Sequence, residues 1–279
     1  MMDSVPTDRR SRDPSAAVPS SVPTLTAALR RAAGGEQRGV SVLDRTEAAS
    51  RRTWAEIHAN SRVVASGLHR LGIESGSRVA LIYPTGFEFI EAFFGCLLAG
   101  AVPVPMYPPV RLGRLSEYHR RTAAMFDAVS GSLMLCDSRI RRLLGETVVQ
   151  VRPPLGCRTL AELPAGSQSA TATDEHDLCL IQFSSGTTVD PKPVALTHRA
   201  VMSQITALNG FWPDSQAVRH SGVSWLPLYH DMGLIGCLCA AVERPGDLML
   251  IPPELFIAQP AVWLRTLSRT RATISPSPN

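Results

Sequence analysis

The feature that most constrains this chain is a repeated change of period along its sequence. Compact apolar runs alternate with longer segments whose apolar residues recur at helical spacing. Arg78–Tyr83, Gly100–Val104 and Ser132–Cys136 read as buried strands. Helices are predicted between and after them, over Gly86–Ala99, Arg111–Ala128 and Ser138–Leu144. A stretch rich in Pro, Ala, Ser and Thr, Pro153–Glu175, interrupts the pattern as a connection between two halves. Alternation then resumes with strand Asp177–Phe183, a polar loop, Val194–Leu196, helix His198–Asn209 and strand Gly222–Leu226. Helix Met232–Val242, strand Asp247–Ile251, helix Gln259–Ser268 and a strand beginning over Ala272–Ser275 complete it. Strands with apolar residues on both faces, joined by helices, pair in parallel and need cover on both sides. The predicted class is therefore α/β, with mainly parallel sheets flanked by helices.

The start of the chain behaves differently. Residues 1–23 combine repeated Pro and Ser with almost no large apolar side chain, which predicts a disordered tail. Leu25–Ala33 has helical spacing and stops at Gly34-Gly35, and Val40–Leu43 reads as a short strand. Thr53-Trp54-Ala55-Glu56 has capping-box form and opens a helix to about Leu71, closed by Gly72.

Composition removes several classes. With 44% hydrophobic residues, the chain beyond its tail can bury a core. The formal charge is only +4 and the arginines are scattered, so nucleic-acid binding has no support. The six cysteines form no CxxC pair and have no His at ligand spacing, which argues against a zinc site or a disulfide framework. That cysteine usage suits a reducing compartment. The apolar stretches Phe89–Val104 and Met232–Val242 are interrupted or too short to span a bilayer, and no apolar leader follows the N-terminus. A cytoplasmic protein without a membrane span is expected.

Of 28 basic residues only one is a lysine, Lys192, and its position is informative. It ends the segment Ser184-Ser185-Gly186-Thr187-Thr188-Val189-Asp190-Pro191-Lys192, directly after an apolar strand. Hydroxyls and free backbone N–H groups donate to anionic oxygens, glycine lets the backbone turn closely, and lysine adds a mobile point charge. By spacing alone the same residues also make an ordinary polar turn. A Walker loop is excluded because Pro191 precedes the lysine, and a nucleophile elbow because no glycine stands two residues before Ser184.

This segment resembles the phosphate loop of the adenylate-forming superfamily, which includes acyl-CoA synthetases, peptide-synthetase adenylation domains and fatty acyl-AMP ligases. Val189 and Pro193 stand where the usual pattern has glycine, making the loop stiffer. Trp225-Leu226-Pro227-Leu228-Tyr229-His230-Asp231-Met232-Gly233 resembles the second core motif of that superfamily, in the form typical of fatty acyl-AMP ligases. Alone, His230-Asp231 also reads as a helix-start pair, since Asp favours the first helical turn. Gly100-Ala101-Val102-Pro103-Val104-Pro105-Met106-Tyr107-Pro108-Pro109, leading into Arg111–Tyr118, is similar to a Pro-Tyr-Pro-Pro segment of the same ligases, although physically it is also a rigid loop leaving a strand.

The resemblance covers roughly Leu25–Asn279 and implies the N-terminal part of the large domain of the adenylate-forming fold. It implies ATP-dependent activation of a fatty-acid-type carboxylate to an acyl adenylate, with Mg2+ present and pyrophosphate released. Ser184, Ser185, Gly186, Thr187, Thr188 and Lys192 would bind the phosphates. His230 would orient the carboxylate, with Tyr229, Asp231, Met232 and Gly233 around it. No adenine-binding segment, hinge or C-terminal small domain is readable, so residues 24–279 read as a truncated AMP-binding domain. A truncated gene product or one piece of a split gene is expected, unable to complete the reaction alone. An acyl carrier protein or a complementary C-terminal chain would be its partner. The alternatives are an acyl-CoA ligase fragment and a non-catalytic interaction subunit.

Overall fold

The computed structural model describes residues 22–109, 115–166, 170–184, 192–212 and 219–278. All but the last two residues of the predicted tail lie outside them.

The first elements follow from their caps. Helix α1 (Leu25–Ala33) starts at Thr24, whose hydroxyl accepts the Ala27 amide at 3.2 Å. Strands β1 (Gly39–Leu43) and β2 (Ala49–Thr53) form an antiparallel pair, and α2 (Trp54–Arg70) begins directly after it. The predicted capping box is present: Thr53 accepts the Glu56 amide at 3.2 Å, and the Glu56 carboxylate accepts the Thr53 amide at 2.7 Å.

Strand β3 (Arg78–Ile82), helix α3 (Phe87–Leu98) and strand β4 (Val102–Met106) then form a parallel crossover. Helix α4 (Leu115–Ala128) leads to β5 (Leu133–Cys136), and the short helices α5 (Ser138–Leu143) and α6 (Gly145–Val151) lead to β6 (Cys157–Arg158). These strands make a wholly parallel sheet in the order β4-β3-β5-β6. Its pleat divides the core. Val79, Leu81, Leu133 and Leu135 face one hydrophobic cluster with α2 and α3, while Ala80, Ile82, Met134 and Cys136 face another with α4. Both faces are thus covered, as the apolar runs require.

Within the first cluster, α3 lies close on α2 because Gly95 has no side chain; a Cβ there would sit 2.4 Å from Val64 Cγ1. Glu91, one of two acids in this apolar helix and the buried one, has two partners. It pairs with Arg52, and the Asn60 amide donates to it at 2.7 Å.

The second half begins with an antiparallel hairpin, β7 (Leu178–Phe183) and β8 (Pro193–Thr197), with β7 packed beside β4. Helix α7 (His198–Gly210) and β9 (Ser221–Ser224) follow. Three contiguous helical stretches come next: α8 (Asp231–Gly233), a π-helical segment (Leu234–Cys239) and α9 (Ala240–Glu243). Strand β10 (Asp247–Leu250) and helices α10 (Pro253–Ala258) and α11 (Ala261–Thr270) close the described chain. The second sheet has the order β2-β1-β10-β9, with β1, β10 and β9 parallel and Ile274 bridging to Gly222 in parallel. The predicted α/β architecture is observed, and its antiparallel parts are the two local pairs β1–β2 and β7–β8.

Candidate functional site

The polar loop leaves the end of β7 and returns on β8. Phe183 pairs with Pro193 and Gln182 with Val194, and the Ser184 amide donates to the Lys192 carbonyl at 3.0 Å. Ser184 and Lys192 are exposed at the end of this hairpin. Ser185, Gly186, Thr187 and Thr188 lie outside the described residues. The hairpin is anchored from below by Cys179, Leu180 and Ile181, all buried.

The second motif forms a tight turn after β9. The His230 amide donates to the Pro227 carbonyl at 3.2 Å, and the His230 carbonyl accepts the Leu234 amide at 2.9 Å. The Leu228 amide reaches the buried Thr85 hydroxyl at 3.5 Å, so the loop between β3 and α3 supports the turn. His230 Nδ1 lies 2.5 Å from Asp231 Oδ1, and the same oxygen accepts the Met232 amide at 2.7 Å. Asp231 therefore serves the helix start and holds the imidazole together. Gly233 is required sterically: a Cβ there would stand 2.3 Å from the Pro227 carbonyl oxygen.

The two motifs meet across a cavity of about 340 Å³. The hairpin contributes Gln182, Phe183, Ser184, Val194 and Leu196, and the turn contributes His230, Asp231 and Ile235. Lys192, Tyr229, Met232 and Gly233 are not in this wall. Lys192 stands at the hairpin end, and Gly233 is buried under the turn. Burial, and secondarily Glu254, raises the Tyr229 phenol above its ordinary range.

Two features of the site had no distinct signal in the sequence. Among the described residues Gln182 Nε2 is buried in the cavity wall without a hydrogen-bond partner. The only hint was a long polar side chain in an apolar strand. The other is the π-helical widening after Gly233, a device common at functional sites. Ile235 on this segment lines the first cavity, while Gly236 and Cys237 line a second of about 930 Å³. Leu208, Trp212 and Val223 also line it.

Residues 29–279 match the family described as AMP-binding enzyme. The chain belongs to the AMP-binding enzyme family. It is 35% identical to a putative acyl-CoA synthetase of Caulobacter vibrioides over 92% of its own length and 45% of the relative's. It is 30% identical to a long-chain-fatty-acid–AMP ligase of Mycobacterium tuberculosis, covering 81% of this chain and 39% of that protein. A solved structure among the fatty acyl-adenylate ligases from E. coli and L. pneumophila superposes with a TM-score of 0.86 at 29% identity, covering 93% of this chain and 47% of that one. This AMP-binding chain thus spans less than half the length of these relatives. Its fold is that of the N-terminal part of their large domain, as the two motif segments implied. Among the described residues no helix is long and apolar enough to cross a membrane.

Proposed function

We propose that this chain supplies the phosphate-holding and carboxylate-orienting sides of a site that joins a fatty-acid-type carboxylate to the α-phosphate of ATP, releasing pyrophosphate. The observation that carries this reading is the shared cavity, with Gln182 and Ser184 on one wall and His230 on the other. Both reactants are anionic, so the work is positioning and charge stabilisation. The hydroxyls of Ser184, Ser185, Thr187 and Thr188 would hold the β- and γ-phosphates, Gly186 would let the backbone approach, and Lys192 would offset their charge.

His230 would orient the carboxylate, its ring fixed through Nδ1 by Asp231. Gln182 Nε2 would donate to a substrate oxygen, which removes its unmet hydrogen bond. Tyr229, Met232 and Gly233 would act by shaping the turn. Mg2+ would arrive on the phosphates of ATP, as is usual for this cation. The 930 Å³ cavity suits an acyl chain: small residues of the helix line it, and its size is near the upper end of the ~300–1,000 Å³ usual for small-molecule sites.

Two named relatives differ in acceptor, one a fatty-acid–AMP ligase and one a putative acyl-CoA synthetase. The test is ATP–pyrophosphate exchange with a series of fatty acids, with products identified by mass spectrometry with and without coenzyme A or an acyl carrier protein. Acyl adenylate that persists in the presence of coenzyme A supports the AMP-ligase reading, and acyl-CoA supports the synthetase alternative. ATP binding without exchange would favour a chain that acts with a complementary C-terminal partner or only binds. Failure of the full chain to bind ATP would overturn the proposal.

A further inference from the structure

On the edge of the wholly parallel sheet, away from either cavity, two cysteines meet. Cys136 ends β5 and Cys157 opens β6, and their sulfur atoms are hydrogen-bonded at 3.5 Å. The register pairs Met134 with Cys157, so Cys136 lies two residues further along β5 on the same face. The other four thiols have no such neighbour. Cys96, Cys179 and Cys239 are buried, and burial pushes them well above the ordinary thiol range. Burial pushes Cys237 up to about 11.

Cys157 alone among the six is partly exposed. Its hydrogen bond with Cys136 lowers its pKa, and Arg141 and Arg158 add to this against burial and the Glu162 carboxylate. Cys136 is shifted the other way by the same bond, by burial and by Asp137. The pair thus joins an accessible sulfur biased toward thiolate to a buried sulfur within hydrogen-bond distance of it, the arrangement in which one thiol reacts and the second resolves.

We propose that Cys136 and Cys157 are a dithiol modification site, converted to a disulfide by a hydroperoxide. The Cys157 thiolate attacks a peroxide oxygen; an S–O bond forms, the O–O bond breaks, and hydroxide leaves to take up a proton. The Cys136 sulfur then attacks the Cys157 sulfur, an S–S bond forms, the S–O bond breaks, and water leaves. The two thiols together lose two electrons, and hydrogen peroxide becomes two water molecules. The sulfurs must close from 3.5 Å to the ~2.05 Å of a disulfide. The closing movement would fall on β6, a two-residue edge strand preceded by Gly156 in the left-handed region at φ +81°. The product ties this edge, and the short 3-10 turn Leu160–Glu162 beyond it, to β5.

The full chain treated with a small excess of hydrogen peroxide, alkylated and digested, should yield one linked peptide joining Cys136 to Cys157, reversed by dithiothreitol. Cys157→Ser should abolish the link and leave Cys136 reduced. Cys136→Ser should leave Cys157 as a sulfenic acid captured by dimedone. Equimolar phenylarsine oxide, which bridges neighbouring thiols, should protect the accessible Cys157 from alkylation in the native wild-type chain, so the outcome does not depend on either variant folding. Over-oxidation of Cys157 without a link, links through other cysteines, or no protection by the arsenical would each overturn the assignment.

Discussion

The backbone amide of Ser184 donates to the carbonyl of Lys192 at 3.0 Å, so the last strand pair of the hairpin holds together the two ends of segment 185–191. The only lysine of the chain is therefore placed by main-chain pairing, and its side chain remains exposed for another task. If that task is phosphate charge, Lys192→Ala should weaken ATP binding by roughly ten- to a hundredfold, the worth of a charge-assisted hydrogen bond. Lys192→Arg should recover part of it. Calorimetric titration with ATP checks this, and an unchanged affinity in a folded variant would remove Lys192 from the site.

His230 faces the cavity from the other side, so its replacement should discriminate between the two substrates. His230→Ala is expected to raise the KM for the fatty acid while leaving ATP affinity within about a factor of three, because the ring makes no contact with the hairpin's phosphate side in the proposed arrangement. Equal losses for both substrates would argue against carboxylate orientation.

Gly233 and Gly236 lie three residues apart, yet they predict opposite results. A Cβ on Gly233 meets the Pro227 and Leu226 carbonyl oxygens at 2.3 and 2.9 Å, so Gly233→Ala should cost about 1–3 kcal/mol and loosen the His230 turn. A Cβ on Gly236 meets nothing within 4 Å, and alanine favours helix by up to ~1 kcal/mol. Urea unfolding of both variants gives the comparison, and similar destabilisation of the two would contradict the packing.

His198 should make stability depend on pH. It is buried at the start of α7, its Nδ1 accepts the Leu25 amide at 3.2 Å, and burial, opposed by Asp177, lowers its pKa to about 4. The unfolded chain binds this proton near pH 6.5, so between there and pH 4 the unfolded state holds more protons and stability falls on acidification. The full contribution is present above pH 6.5, and the loss by pH 4 is on the order of 3 kcal/mol. His198→Asn, which keeps an acceptor near the Leu25 amide, should flatten the urea-midpoint profile across that window. An unaltered profile would show that His198 does not titrate there.

The sequence was legible where a local signal and burial agreed. Helix α1 carried helical spacing ended by Gly34-Gly35, α2 carried its cap in Thr53 with Glu56, and β3 and β5 were apolar on both faces because both faces are covered. Strand β2 was missed because Ala49–Thr53 contains no large apolar residue; it is held by backbone pairing to β1 and by Arg52 reaching Glu91. Strand β4 runs over Val102–Met106, two residues later than the predicted Gly100–Val104. Pro103 and Pro105 argued for ending it early, yet prolines are tolerated in a strand whose ladder uses one edge, as β4's does with β3. Helices α6 and α10 are too short to announce themselves by periodicity. At the site, His230 and Ser184 were found through motif resemblance. The cavity they share with Gln182 arises from the docking of two segments, which no spacing along the chain encodes.

The π-helical segment Leu234–Cys239 is a partition with a room on either side: Ile235 faces the chamber of His230, and Gly236 and Cys237 face the larger apolar one. A single thin wall of this kind separates what can be varied from what must stay fixed. Residue volume added on the far side would shorten the space open to a ligand's tail, while the geometry around the imidazole is set independently by the turn that precedes the wall.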